Sequence, residues 1–426
     1  MKKSLALSFA ALLGAANAAA AVPEYAQFEL QARSNLLVND EGFNLPPGTS
    51  FNSISPRIND AQQVAFSAGL VPIDGDQTRT GGGVWLGAHG AGSIVAVHEV
   101  PAGDPEDPPF MIVADTPGLN ASGAIAYYTS VDGGTYTLRK YDPATGESNP
   151  VSLLPLTPSS ISNPDIADDG LIGFKARMGL GYGLATAGNG TPAIYAVDTS
   201  VEETSPYAYI YSPATNNAHR IASKVSTTDY DHNEIRLFTG PNESELVVAD
   251  RATDTTSPFA GFDNGLGLNQ LDAVAVVVKL ADGNVRAVYR FTPGENGIEA
   301  TEIARVDPAG TIREIESFSP VLNDAGLVAF RARDADGQAI YVGDGESLMR
   351  VVGKGDVIET DLGTAQIGQH DDSPVFSGKP AINNLGDVAF VAGVHPQGDN
   401  QTEWGSGVFV AYAPANDAIF ADGFDG

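Results

Sequence analysis

The residues best suited to chemistry stand in two short clusters. Thr228-Asp229-Tyr230-Asp231-His232-Asn233-Glu234, with Arg236 just beyond, sets a histidine among carboxylates, a phenol and a guanidinium. Gln369-His370-Asp371-Asp372 supplies a second histidine far along the chain. Imidazole titrates near neutrality and suits proton transfer. With His232 or His370 as base, Tyr230 as acid and Arg236 clamping a uronate carboxylate, the set suits β-elimination of an acidic polysaccharide. The developing enolate would need a cation beside it. That chemistry demands a fold that carries 230–236 and 370 to one mouth. The competing reading, polar turn residues with one histidine bonded to a carboxylate, demands nothing.

Two acidic stretches raise a metal question. Asp165-Ile166-Ala167-Asp168-Asp169-Gly170 and Asp334-Ala335-Asp336-Gly337 offer closely spaced hard oxygens of the kind calcium prefers, making Asp165, Asp168, Asp334 and Asp336 the candidate ligands. Neither stretch fits the EF-hand loop or a nonapeptide calcium repeat, and both also read as acidic turns facing solvent. Calcium is the one cofactor in view. The six histidines show no zinc spacing, and Gly-x-Ser-x-Gly, phosphate-loop and dinucleotide motifs are absent. With no cysteine, thiol nucleophiles, cysteine–zinc sites and c-type haem attachment are excluded.

A formal net charge of −30 repels nucleic acid and anionic membranes, and it leaves too few cations to track a phosphate backbone. The chain opens on Met1-Lys2-Lys3, an apolar run from Leu5 to Ala16 and the small residues Ala19-Ala20-Ala21. This order reads as a secretory signal peptide, too short to span a bilayer. The reading is therefore export to the cell exterior, the outer surface or the periplasm, without a membrane span.

The elements that must hold any site are written in a repeated phrase. SPRINDAQQVAFSA from Ser55, SPVLNDAGLVAFRARDADG from Ser319 and KPAINNLGDVAFVAG from Lys379 share an asparagine, a turn and Val-Ala-Phe. Aligned on that asparagine and the residue seven places later, the copies pair Asn59 with Phe66, Asn120 with Tyr127, Ala167 with Phe174, Asn269 with Val276, Asn323 with Phe330, and Asn383 with Phe390. The anchors step by 61, 47, 102, 54 and 60 residues, so a degenerate seventh copy is expected inside the long gap. From Tyr207 to Asp250 strands are still legible, but the phrase itself reads as lost.

Each copy has a mechanical sense. Asparagine begins a tight turn, and glycine at Gly123, Gly170, Gly326 and Gly386 takes the positive φ. In Leu327–Arg333, alternation sets Val328, Phe330 and Ala332 on one face. Further strands follow each phrase, as in Gly83-Val84-Trp85-Leu86, Ala193-Ile194-Tyr195-Ala196 and Gly407-Val408-Phe409-Val410. Hairpin units of this size stack to bury a shared apolar layer. No window after the leader holds a helical apolar period. The expected fold is all-β: a β-propeller of seven blades, within a range of six to eight, each of three to four antiparallel strands. Tandem sandwiches or a solenoid are the alternatives. Tyr25–Leu30 alternates like a strand and is a candidate to complete the last unit.

The phrase Asn-x-x-Gly-x-Val-Ala-Phe resembles the tandem-repeat family named after that motif in secreted and surface-anchored bacterial proteins. The resemblance implies a secreted, propeller-like domain and supplies no catalytic residue. Ala167 departs from its asparagine, and Gln62 and Asp272 from its glycine. The C-terminal Phe420-Ala421-Asp422-Gly423-Phe424 resembles the short tail of many exported gamma-proteobacterial proteins. The division expected is a signal peptide over 1–21, one repeat-built domain over 22–413 and a tail over 414–426. The functional expectation is a binding or interaction module for an extracellular glycan or protein, with Tyr127-Tyr128 and Trp404 as stacking candidates. A uronate lyase and a calcium-supported surface protein are the alternatives.

Overall fold

The computed structural model describes residues 21–34, 42–51, 54–70, 81–100, 109–227, 230–369 and 374–414. Residues 1–20 of the expected leader and nearly all of the tail lie outside these. Seven antiparallel sheets follow one another along the chain as the blades of a propeller, each of four strands running outward from the axis. Among the described residues no helix is long and apolar enough to cross a membrane.

Blade one shows the plan. Its innermost strand is broken into Thr49–Ser50 and Arg57–Ile58, and both pieces pair with Val64–Leu70; Gly81–Ala88 and Ala91–Glu99 lie outside. The central strands of blades two to six are Ile125–Val131, Ile172–Met178, Ile221–Ser226, Val274–Leu280 and Val328–Arg333. Ala193–Val197 is the outer strand of blade three, with Gly181–Ala187 between it and the central strand. Blade seven orders Phe376–Ile382, Val388–Pro396, Ser406–Tyr412 and, outermost, the N-terminal strand Gln27–Ser34. The first strand thus closes the ring on the last sheet, as the alternation around Tyr25–Leu30 suggested. An added hairpin, Val357–Thr360 with Gly363–Ile367, pairs with the end of Val388–Pro396.

The alternation inside Val-Ala-Phe explains the stacking. In blade six, Val328, Phe330 and Ala332 pack back onto Ala275, Val277 and Val288 of blade five. The opposite face, with Ala329, Ile340 and Val342, packs forward onto Val388, Phe390 and Ala392 of blade seven. The same exchange fills the other inter-blade cores. A small alanine between larger residues lets the next sheet approach, and the aromatic fills the space gained. Phe66 stacks on Trp85, and Phe390 on Phe409, across the neighbouring strand of the same blade.

The seventh copy is present. It is Asn216-Asn217-Ala218-His219 followed by Ile221-Ala222, with Ser223 where the other copies carry a larger side chain. The phrase therefore does not disappear between Tyr207 and Asp250. It loses its glycine and its aromatic, while its turn and its asparagine persist. The fourth residue of all seven turns has positive φ, at Gln62, Gly123, Gly170, His219, Asp272, Gly326 and Gly386. The side chains at Gln62, His219 and Asp272 adopt the left-handed conformation that glycine takes more cheaply.

The asparagines do more than cap their turns. Each accepts the backbone N–H four residues on, as Asn323 does from Leu327 at 3.0 Å, and each reaches the next blade with its amide. Asn59 Nδ2 donates to the Asn120 carbonyl, Asn120 to Ala167, Asn216 to Asn269, Asn269 to Asn323, Asn323 to Asn383 and Asn383 back to Asn59, at 3.0–3.2 Å. A second ring uses the following residue. Asp168, Asn217, Gln270, Asp324, Asn384 and Asp60 each accept the backbone N–H of the equivalent residue one blade earlier. Ala167 breaks the first ring, and Ala121 breaks the second. At the first break, Asp169 still bonds His219 Nε2 at 2.8 Å.

Restoring the missing amide is a direct test of this reading. Ala167→Asn is expected to raise stability by about 1 kcal/mol, the usual net value of one hydrogen bond. Thermal unfolding measures it, and a lowered melting temperature would contradict the ring.

A further exchange marks blade three. Gly173 stands where the other six copies have alanine, and Thr215 Oγ1 of blade four occupies the position a Cβ would take there.

Candidate functional site

The two ends of the propeller differ. At one, the seven phrase turns close around the channel, and Asp60, Asp168 and Asp324 line its mouth with Asn217, Gln270 and Asn384. These polar groups are the inter-blade latches, bonded to one another around a pocket of about 310 Å³. At the other end the chain passes from blade to blade and from the second to the third strand of each blade. This loop end carries Tyr230 of the first cluster and Gln369 of the second.

The structure describes three of the four residues proposed for catalysis, Tyr230, His232 and Arg236. Tyr230 is 65% exposed on the blade-four hairpin, its ring 6.1 Å from that of Tyr209. His232 immediately precedes the strand Asn233–Gly240, and its carbonyl accepts the Thr227 N–H at 2.8 Å. Arg236 lies further along that strand and is engaged, with Glu234 Oε2 at 2.5 Å and Ser244 Oγ at 3.1 Å. His370 falls outside the described residues, although its neighbour Gln369 lines a cleft at the loop end.

The aspartates proposed for calcium have other partners. Asp334 accepts the N–H groups of Asp336 and Gly337, the Tyr341 hydroxyl at 2.9 Å and Arg350 Nε at 3.1 Å. Asp336 is exposed on that turn. Asp168 belongs to the latch ring, where it also takes Asn217 Nδ2 at 2.6 Å. Asp165 faces Arg57 inside the channel at 3.8 Å. Among the described residues, no three histidine or carboxylate groups gather as a metal site. Tyr127 is buried, its hydroxyl between His98 and Ser148, and Trp404 packs against the core of blades six and seven.

Sequence reasoning missed a set of cations that the repeat itself positions. The residue eight places after the phrase's first position, Ala167, Asn216 or Asn323, is Lys175 in blade three, Lys224 in blade four and Arg331 in blade six. Each sits against an aromatic ring. Lys175 Nζ is 4.1 Å from the Tyr182 centroid and 4.5 Å from that of Tyr209. Lys224 Nζ is 4.2 Å from the Tyr211 centroid, and the Arg331 guanidinium is 3.9 Å from that of Phe318. The signal was available, since a long cation follows Phe in FKAR and FRAR where Phe66 and Phe390 are followed by Ser67 and Val391.

Arg331 anchors the most developed network. It pairs with Glu316 at 2.7 Å through Nε and donates to the Gly378 carbonyl at 2.6 Å. Gln338 donates to the other Glu316 oxygen and accepts the Val375 N–H at 2.7 Å. Burial lowers the Arg331 pKa, with Glu316 opposing. Beside this network opens a cleft of about 550 Å³, lined by Phe318, Phe51, Arg333, Gln369, Ser377 and Ser406 among others.

A family profile, that of DUF7453, a family of unknown function, matches residues 9–142 and 181–424. The unmatched stretch contains Ala167 and Gly173, where blade three departs from its sisters. The match is not to the tandem-repeat family that the phrase resembles; what stands of that resemblance is a propeller-like, all-β fold. No curated protein matches the chain. Among solved structures it is similar to a puromycin-hydrolyzing peptidase of Mycobacterium tuberculosis, at 12% identity over 81% of this chain and 50% of that one, with a TM-score of 0.44. It is also similar to the polysaccharide lyase Uly1, at 7% over 91% and 99% with a TM-score of 0.48. A third is the calcium-binding protein regucalcin of Agrobacterium tumefaciens, at 13% over 70% and 89% with a TM-score of 0.37. The chain spans half the length of the peptidases it matches. At such identities and scores these likenesses say nothing about ligand or activity.

Proposed function

The chain belongs to DUF7453, a family of unknown function, and from that premise we propose that it is an exported binding propeller for a polyhydroxylated, glycan-like ligand. The binding place is the loop-end cleft at blades six, seven and one. One observation carries this reading: a cleft of about 550 Å³ joins the half-exposed Phe318 ring to side chains already fixed by hydrogen bonds. A sugar presents an apolar ring face and hydroxyls that both donate and accept. Phe318 and Phe51 suit the first, while Arg333, Gln369, Ser377 and Ser406 suit the second. Preorganisation of Arg331, Glu316 and Gln338 lowers the ordering cost of binding. The basic and apolar start of the chain supports export.

Binding without turnover is the better-supported reading. The lyase set loses Arg236 to Glu234, so the clamp for a uronate is engaged before any substrate arrives. A calcium role is also poorly supported, since Asp334 and Asp168 give their oxygens to N–H groups and Arg350 or Asn217.

Titration calorimetry against neutral oligosaccharides, after a glycan-array survey, tests the proposal. Phe318→Ala is expected to weaken binding about tenfold, roughly 1.4 kcal/mol, with the unfolding midpoint unchanged. An array with no binder would sink the reading, and released unsaturated product would replace it with the lyase.

A further inference from the structure

Lys175 and Lys224 are two ammonium groups, each more than nine-tenths buried, in a chain with 53 carboxylate side chains. Neither forms an ion pair with a described carboxylate. Lys175 donates to the Tyr209 hydroxyl at 3.3 Å and otherwise meets ring faces. Lys224 donates to the Phe262 carbonyl at 3.0 Å and to Asn264 Oδ1 at 3.1 Å. Arg331, at the same place in blade six, has its carboxylate in Glu316. The contrast is unusual, because buried charges are normally paired.

The carboxylates that face these lysines have other partners. Asp198 of blade three accepts the N–H groups of Tyr182 and Ser200. Asp250 of blade four accepts from Asn233 and Thr253. Asp263 of blade five is held by Arg286 at 2.7 Å. Between the two amines lie Tyr209 and Tyr211, ring centroids 4.7 Å apart, with Tyr182 and Tyr230 beside Tyr209. Tyr182, Tyr209 and Tyr211 are half-buried and Tyr230 exposed, so the cluster reaches solvent at the loop end.

We propose that this lysine–tyrosine cluster at blades three and four is a second binding place, receiving a singly charged oxyanion group of a ligand, a carboxylate or a sulfate ester. The ligand supplies the counter-charge that the protein withholds. Two ammonium groups give the attraction, phenol hydroxyls give donors, and the ring faces cover an apolar flank. Burial holds the Lys175 amine down at about 8, against the pull of Asp198, so it is mostly cationic at neutral pH. Burial likewise lowers Lys224, against Asp263 and Asp250. Burial raises Tyr209, together with Tyr182, Tyr211, Asp198 and Tyr230, so its hydroxyl remains a donor. This inference stands independently of the blade-six cleft.

Trigalacturonate, its neutral methyl ester and a sulfated galactose trisaccharide are the probes, titrated by calorimetry. Binding of an acidic probe at least tenfold tighter than the methyl ester is expected, and the two acidic probes separate carboxylate from sulfate. Lys175→Met and Lys224→Met should each reduce that binding tenfold or more, while neither lowers the melting temperature, since each removes a buried charge that lacks a counter-ion. Carbon-13 titration of labelled lysine should show the Lys175 pKa rising when an acidic probe saturates the site. Equal affinity for the ester, acidic-probe binding indifferent to both substitutions, or no binding of either acidic probe overturns the proposal. A large fall in melting temperature for both Met variants also overturns it, by showing that the amines are structural.

Discussion

Deleting residues 21–34 is expected to abolish cooperative folding, not merely to lower stability by an increment. The strand Gln27–Ser34 is the outer strand of blade seven, paired with Ser406–Tyr412 along its length. Its loss would leave that edge unpaired and open to other chains. Arg33 is fully buried, binds Asp361 through two nitrogens at 2.8 and 2.9 Å and donates to the Trp404 carbonyl at 2.8 Å. One residue thus ties the first strand, the added hairpin and the blade-seven loop together. Tyr25 adds a hydrogen bond to the Gly386 carbonyl at 2.7 Å. Denaturant unfolding of the shortened chain should lose its single steep transition, and a synthetic 21–34 peptide should restore it. A steep transition with an unchanged midpoint would show that the ring closes some other way.

Arg331→Leu should be the most destabilising single substitution at the loop end. It leaves Glu316, 9% exposed, without its charge partner, which costs about 3–5 kcal/mol for a buried pair broken on one side. Glu316 would retain Gln338, and Arg333 Nε stands 3.4 Å away but is itself well exposed. Removing both charges with Arg331→Leu and Glu316→Leu should recover much of the loss, because two apolar groups leave no uncompensated charge. Urea unfolding of the two single variants and the double variant measures the coupling. Additive losses would mean that the pair is not the organising element of the cleft.

The architecture was readable because ring closure repeats one local solution. Asparagine, a positive-φ turn and Val-Ala-Phe carry both the hairpin and the inter-blade contact, and six copies survive nearly whole. Asn216 was hidden because recognition relied on glycine and phenylalanine, both replaceable: His219 adopts the same left-handed turn, and Phe238 on the next strand fills the core beside Ile221. The positive-φ fourth residue recurs in all seven turns and the asparagine in six, where its amide reaches the next blade. The sites were far less legible. Tyr230 and His232 precede the strand Asn233–Gly240 while Arg236 lies within it, and alternation puts Glu234 on the same face as Arg236, where it captures the guanidinium. Lys175, Lys224 and Arg331 lie far apart in sequence, and only the shared register of three blades reveals them as equivalents.

The most direct test of the account is a hydrogen-exchange footprint with a bound oligosaccharide. The expected result is added protection confined to the loop end, at 314–318 and 374–378 and, for an acidic ligand, also at 207–211. Protection centred on the phrase turns at Asn59, Asn120, Asn323 and Asn383 would place the ligand at the opposite mouth and contradict the account.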